Sequence, residues 1–578
     1  MSLKSVYQYY FLAILGLSAC SKSPAPIAPV QPGTGSSVII IPQSDPGIAK
    51  SAGFFLDDWA PKTFTAPAYT DSMPPAAAAT VSINADYSKV ITKVPKYLFG
   101  NNANPYMTQM VTEPVLIANI KTLAPHIIRF PGGNISSIYF WNAAPGQAPA
   151  DAPANLFDQS GNTTPANYWF GNNTSNWTLS LDNYYAALQQ TGSTGIITIN
   201  YSYARYGMSA HPDQVAAHLA ADWVRYDKGR TKYWEIGNES DGPWQAGWQI
   251  DTTKNHDGQP RIITGALYGK HFKVFADSMR KAAGETGAQI KIGAQLVQTD
   301  PVNAWNAVDK TWNSGLFASV ADYPDYYIVH DYFTAQANLN AATILNTPVS
   351  ESKLIMDWMN TTTAQAGVAM KPIALTEWNI FAAGAKQMVS HIAGLHADMV
   401  LGELLKNKFG MASRWDLANS WENGNDQGMF SQGDEPDNTP KWNPRPAYFH
   451  MYFFQQYFGD KMINSTVTGS SEILSYASSF SSGEAGIVLV NKGTTSQTVG
   501  ITIQNFAAGS RYYYYTLVGG NDNGEFSRKV YINGTGPSGP SGGPANFTKI
   551  SASSAALQGT IKVSSPARSV IFLVAAKK

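Results

Sequence analysis

Cysteine is all but missing from this chain: there is one, Cys20, in 578 residues. No intrachain disulfide can brace the fold, and no cluster of thiolates can hold zinc. Net charge is missing as well. Forty basic residues cancel forty acidic ones, with no long run of either sign, which argues against a nucleic-acid partner. Beyond the N-terminal two dozen residues, no stretch reaches the roughly 20 apolar residues that a spanning helix needs. No glycine-rich phosphate loop follows the first candidate strand, and no G-x-S-x-G elbow marks a serine hydrolase. No His/Cys spacing suits zinc and no acidic stretch has the EF-hand spacing, so neither a metal nor any other cofactor is expected. The acidic stretches "SQGDEPDN" (431–438) and "GGNDNGEF" (519–526) are expected to be solvated turns.

What the chain does have is apolar and aromatic bulk. Hydrophobic residues make up 44% and aromatics 12%, with 15 Trp and 30 Tyr, enough for a large core and for stacking surfaces. The length suits two or three domains. The N-terminus, "MSLKSVYQYYFLAILGLSACSKSP", has Lys4, a short apolar segment and small residues before Cys20. It reads as a secretory signal, and "LSAC" resembles a bacterial lipobox in which Cys20 carries the lipid anchor. An exported lipoprotein, held at the outer membrane or cell surface, is the expectation. Residues 1–20 are then the signal peptide. The Pro/Gly/Ser-rich residues 21–52 read as a tether, and 53–90 as a segment that docks on the body.

From 91 to 458, short apolar runs alternate with helical patterns. Strands are expected at 96–100, 127–130, 195–200, 232–237, 289–297, 326–330, 372–378 and 411–417. Eight such strands with helical crossovers imply a closed parallel (β/α)8 TIM barrel. Residues 459–578 carry strands separated by turn residues, read as an antiparallel β-sandwich, and strand-like residues 79–92 are candidates to pair with it. Within it, "GTGPSGPSGGP" (534–544) reads as a flexible loop.

The candidate chemistry lies at two strand ends. "KYWEIGNE" (232–239) stops at Asn238 and Glu239, and "IALTEWN" (373–379) places Glu377 before Trp378 and Asn379. In a parallel barrel the C-terminal strand ends share one mouth, so strands four and seven can aim two carboxyls at one substrate. Breaking a glycosidic bond needs one group to protonate the leaving oxygen and another to stabilise or attack the sugar centre. One carboxylate on a rim is as readily a structural ion-pair partner; a matched pair is much less so.

"RFPGGN" (129–134), "YWEIGNE" (233–239) and "LTEWN" (375–379) resemble the signature of clan A glycoside hydrolases. "GNESDGPWQ" is similar to the "GNEMDGPWQ" of family 51, mostly retaining α-L-arabinofuranosidases built from a (β/α)8 barrel and a β-sandwich. The resemblance implies Glu239 as general acid/base and Glu377 as nucleophile. It puts Asn238, Arg129 and Asn134 at substrate-contacting or site-supporting positions. It suggests that His330 and Tyr332, in "IVHDY", hold the nucleophile or touch sugar. Trp378 is the first choice among the tryptophans (141, 169, 177, 244, 378, 415 and 421) for a sugar platform. Two stretches differ from the family: "FGNNANPY" (99–106) stands where a sugar-binding Glu is usual, and "NYSYARYG" (200–207) where a glycine-rich turn is usual. "GGNISSIYFWN" (132–142) is similar to family 44 endoglucanases.

Three readings follow. One is a retaining, arabinofuranosidase-like hydrolase of neutral poly- or oligosaccharide. The second is an endo-acting clan A glycanase on glucan, xylan or algal galactan, and the third a surface lipoprotein that binds glycans without cutting them.

Overall fold

A computed structural model describes residues 40–578 apart from 335 and 538. Cys20 and the signal-like N-terminus lie outside the described residues. No helix among the described residues is long and apolar enough to cross a membrane.

Eight parallel strands close a barrel in chain order: β1 (Gly100–Asn102), β2 (Ile127–Phe130), β3 (Thr194–Ile199), β4 (Tyr233–Ile236), β5 (Lys291–Gln295), β6 (Tyr326–Tyr332), β7 (Ile373–Asn379) and β8 (Met411–Arg414). Their Ile, Val and Tyr content suits a pleat buried on both faces. Helices follow most strands, and several begin with a side-chain cap. Ser180, Thr264, Asn340 and Ser390 each accept a backbone N–H of the first turn, removing an otherwise orphaned donor.

The first strand starts later than expected. Lys96–Leu98 is a 3-10 turn, because Pro95 caps it and Tyr97 is drawn under the barrel, edge-on to Phe55 and Tyr233. Phe55, Tyr97, Tyr233 and Tyr326 join Ile127, Ile196, Ile328, Ala374 and Met411 in an apolar plug at the strands' N-terminal ends. Burial is therefore complete at that end, and the opposite, C-terminal mouth is where polar groups collect.

The second unit of structure is an eleven-stranded sheet wrapped round its own core, with Val81, Ile83, Ile487, Leu489, Ile501 and Leu573 among the inward residues. Its hydrogen-bonded path folds over: Tyr512, near one end, donates to the Lys562 carbonyl on a strand at the other. The sheet is not wholly antiparallel. Val81–Lys93, which precedes the barrel in the chain, lies between Lys461–Thr468 and Gln497–Gln504 and runs parallel to the latter.

Three local expectations fail. Residues 40–52, assigned to a tether, are docked: Gln43 bonds to Tyr87 and Ser479, and Asp45 pairs with Lys93 and Lys461. The turn at 431–438 is only partly solvated: Gly433, Asp434, Pro436 and Asn438 are exposed, but Glu435 is buried against Arg445 and Arg528. The end of the 534–544 loop is also held, through the Gly542 N–H on Arg528 and Ser541 against Thr439. In each case a polar or charged side chain finds a partner distant in the chain.

Candidate active site

Arg129, on β2, is the hub of the barrel mouth. It is wholly buried, and each of its bonds reaches a different strand or strand end. Its Nε donates to Glu235 on β4 at 2.6 Å, and one terminal nitrogen donates to Asn102 on β1 and to Glu377 on β7, both at 3.1 Å. The other donates to Asn238 at 2.8 Å. Glu235 also accepts from Thr198 on β3 at 2.9 Å. A buried guanidinium is tolerable only with such a full complement of acceptors.

Glu377 is 4% exposed and is gripped from three sides. Besides Arg129, the Tyr332 hydroxyl donates to it at 2.5 Å, and His330 Nδ1 stands 3.7 Å away. Glu239 stands at the rim on strained backbone, with φ of +41° in the left-handed region directly after β4. Such a conformation in a non-glycine residue persists only where the surroundings enforce it, and it is common at functional sites. Its carboxylate accepts from Trp244 Nε1 at 2.7 Å and Gln245 Nε2 at 3.3 Å, and meets His330 Nδ1 at 3.1 Å. His330 Nε2 in turn lies 3.2 Å from the Thr376 hydroxyl. One oxygen each of Glu239 and Glu377 and one nitrogen of His330 all lie within 4.8 Å of one another. Two carboxylates and an imidazole could ligate a cation, but all three are already engaged in hydrogen bonds with one another or with Arg129, Tyr332 and Trp244.

Burial pushes both carboxyls upward. At Glu239 the bonds from His330 and Trp244 outweigh burial and hold the group below the usual glutamate range. At Glu377 burial, with the neighbouring Glu239 charge, outweighs His330, Arg129 and Tyr332, and the group lies above it. Because the two carboxyls share His330, their titrations are linked.

The mouth opens into a cavity of about 890 Å³ lined by Glu239, Glu377, His330, Tyr332, Asn134, Trp244 and Trp415 among others. Asn238 is buried. Its carbonyl oxygen is taken by Arg129, and its amide nitrogen has no partner. Arg129, placed by the resemblance at a substrate-contacting or site-supporting position, braces the carboxylates from below.

Trp378, expected as the sugar platform, is fully buried and off the cavity wall. Successive side chains on a strand point to opposite faces, so the residue after an inward-facing Glu377 turns away. The aromatic rings at the mouth include Trp244, Trp305, Tyr332, Phe381 and Trp415. Trp415 lies over the "PGG" turn, where a Cβ on Gly133 would come within 2.4 Å of its ring. Of the other candidates, Trp141 is buried against Trp223. Trp177 is exposed and packs on Trp169, and neither lines the cavity.

Glu235 went unremarked in the sequence, although a charged residue inside "KYWEIG" signals an internal ion pair. Asn102 and Thr376 carried no such signal. In the stretch where family 51 has a glutamate, Asn102 staples β1 to carbonyls of Thr376, Ser413 and Arg414. A carboxyl reaches this region from β8 instead: Asp416 accepts bonds from Asn104 and Tyr106.

A family model described as the α-L-arabinofuranosidase 1 domain matches residues 119–343, the stretch that carries Arg129, Glu235, Glu239 and His330. Over this stretch the chain resembles α-L-arabinofuranosidases. An intracellular exo-α-(1→5)-L-arabinofuranosidase of Halalkalibacterium halodurans is 25% identical over 222 residues, 38% of each chain. The chain thus aligns with about two fifths of that curated relative's length. Among solved structures, a family 51 α-L-arabinofuranosidase from Bifidobacterium longum superposes with a TM-score of 0.59 at 15% identity, covering 86% of this chain and all of that one. A family 44 xyloglucanase from Paenibacillus polymyxa gives 0.54 at 12% identity, with the same coverages. At such identities the structural likeness speaks for the fold, a (β/α)8 barrel with a C-terminal β-domain.

Proposed function

We propose that this protein is a retaining, arabinofuranosidase-like glycoside hydrolase, with Glu377 as nucleophile and Glu239 as general acid/base. The observation that carries the reading is the separation of the two carboxyls. One oxygen of each carboxyl within 4.8 Å of the other suits direct attack by one carboxylate, for which a carboxyl separation of about 5–5.5 Å is typical, against the roughly 6.5–9.5 Å that makes room for the water of an inverting reaction. Arg129 and Tyr332 aim Glu377 and favour its ionised form, as attack on the sugar's anomeric carbon requires. Glu239, at the rim, is within reach of a leaving oxygen. In the free site its bond to His330 favours the carboxylate. A sugar oxygen that enters between Glu239 and His330 breaks this bond and lets burial raise Glu239 toward the protonated acid it must be. Asn238's unpartnered amide nitrogen suits a sugar hydroxyl beside the reacting carbon. The matching domain and the curated relatives support arabinofuranose as the sugar.

The test is turnover of aryl α-L-arabinofuranosides by the full chain and by two variants. Glu377→Gln is expected to lose at least about a thousandfold in kcat. Glu239→Gln is expected to keep the first step on a good leaving group, stall at the glycosyl-enzyme, and recover rate with azide, giving a glycosyl azide of retained configuration. An inverted product would exclude the nucleophile role of Glu377.

A second reading, endo-action on a glycan chain, draws support from the open cavity and its exposed Trp244 and Trp305. Product lengths from arabinan, xylan and xyloglucan separate it from exo-release of single sugars. Binding without turnover is not carried forward, since each carboxyl has its own set of supporting partners. For location we propose export with a lipid on Cys20. Labelled palmitate should enter the wild type and not Cys20→Ser.

A further inference from the structure

The cavity runs past Glu239 along the loops that follow β4, β5 and β6, and its wall has an unusual charge. Six carboxyls line it: the Glu239/Glu377 pair, Asp241, Asp309, Asp331 and Glu351. Among the described residues, no lysine or arginine does. Of the four additional carboxyls, Asp309 is a hydrogen-bonding neighbour of Asp241, and the Glu351 charge acts on Asp331. Their partners are neutral. The Gln298 amide donates to Asp331 at 3.3 Å and leaves its second oxygen without a partner, while Asn306 and the Trp305 N–H serve Asp309.

Two further observations mark this stretch as built for a ligand. Gln295, 4% exposed, lines it with an amide nitrogen that has no partner, its oxygen being taken by the Ser240 N–H. Trp244 and Trp305, 48% and 66% exposed, offer apolar faces to the same space. Indole faces suit the C–H faces of sugar rings, and the carboxylates accept hydrogen bonds from sugar hydroxyls.

We propose that this wall makes the site charge-selective. The leaving-group side accepts neutral sugar chains and turns away those bearing uronate or sulfate groups, with Asp241, Asp309, Asp331 and Glu351 as the specificity-determining residues. The inference rests on Glu239 as proton donor, which places the leaving group on its side of the cavity. An anion entering there meets like charge in a partly enclosed space of low dielectric, with no fixed cation to pair with. Burial, then Asp309 and Glu239, lift Asp241, and burial, with Glu351, lifts Asp331 to about 7, so the charge of the wall, and with it the discrimination against an entering anion, grows as pH rises through about 7.

The experiment compares two aryl α-L-arabinofuranosides on the full chain, one with a 4-carboxyphenyl leaving group and one with its methyl ester. The carboxylate is expected to show at least a tenfold lower kcat/KM at low ionic strength. The ratio should narrow at about 0.5 M salt, where screening acts within a few ångströms. It should narrow again, at about pH 8 where Asp331 is charged, in the Asp331→Asn/Glu351→Gln double variant or, if that fails to fold, in Glu351→Gln alone. Equal kcat/KM for the two glycosides, or a ratio unmoved by salt and by the variants, overturns the proposal. A binding arm separates it from the hydrolase reading: Glu377→Gln is titrated with neutral arabinoxylan oligosaccharides and with oligogalacturonides. If the neutral chains bind at least tenfold more tightly while the wild type cleaves nothing, charge selection stands and the hydrolase reading falls. If the oligogalacturonides bind as well as the neutral chains, or neither binds, charge selection falls.

Discussion

At the scale of single residues, the site is organised by hydrogen bonds to one carboxylate. Tyr332 and Arg129 both donate to Glu377, and both favour its charged form against burial. Removing the tyrosine hydroxyl therefore raises the Glu377 pKa further. Since attack needs the carboxylate, the acid limb of kcat/KM in Tyr332→Phe should move to higher pH, with kcat about ten- to a hundredfold lower. A pH–rate profile of both proteins reads this directly. A limb that stays in place while kcat falls would mean that Tyr332 only positions the group. Arg129 is harder to test through activity. Its loss leaves Glu235 charged, buried and unpaired, at a cost of about 3–5 kcal/mol of stability, so a melting curve reports on it before any assay does.

At the scale of elements, strand ends and the turns after them do the positioning. β4, β6 and β7 each deliver a reacting or supporting group at the same height, and the Gly132–Gly133 turn after β2 lets Trp415 close over the mouth. Both glycines have positive φ, +65° and +56°. Gly133→Ala would press a methyl group into the Trp415 ring, so the expected result is a loss of at least tenfold in kcat/KM with a melting shift of a few degrees. Fluorescence of the displaced indole offers a second readout. Much at this scale was legible beforehand. The eight strand runs, the paired Asn-Glu and Glu-Trp-Asn endings and the "RFPGGN" turn stand out because each strand is a short apolar run stopped by polar residues. Strand one was misplaced because Pro95 and Tyr97 answer to the barrel floor rather than to local β propensity. Trp378 was misjudged because adjacency to Glu377 in sequence means the opposite face of the strand.

At the scale of the whole molecule, the barrel and the sheet are joined by a segment that changes allegiance. Val81–Lys93 leads into the barrel yet is a central strand of the sandwich, with Ile83 wholly buried in the sandwich core. Ile83→Ala should cost about 2–5 kcal/mol and lower the melting temperature, while kcat stays unchanged at temperatures well below the transition. A drop in kcat parallel to stability would show that the sheet props up the mouth as well. His396 reports on the same scale through pH. It is buried beside Phe333 and near Arg414, and burial pushes it down to about 3. The unfolded chain binds that proton below about 6.5 and the folded chain does not. Stability from this group is therefore lost progressively as pH falls from about 6.5 toward 3, and His396→Gln should flatten the acid-side fall of the melting temperature.

The chain alone was enough to specify a (β/α)8 barrel followed by a β-rich domain, and to pick out Glu239 and Glu377 as the residues around which a site would form. Hydrophobic period, turn residues and strand-end polarity are local signals, written within a few residues of one another. The tertiary structure alone decided what surrounds those two carboxyls. Arg129 at the centre of four strands, His330 between the pair, the tether that docks and the carboxylate wall toward Trp305 all join residues tens to hundreds of positions apart. Such contacts depend on how the barrel closes, and closure is a property of all eight strands together, not of any one stretch of sequence.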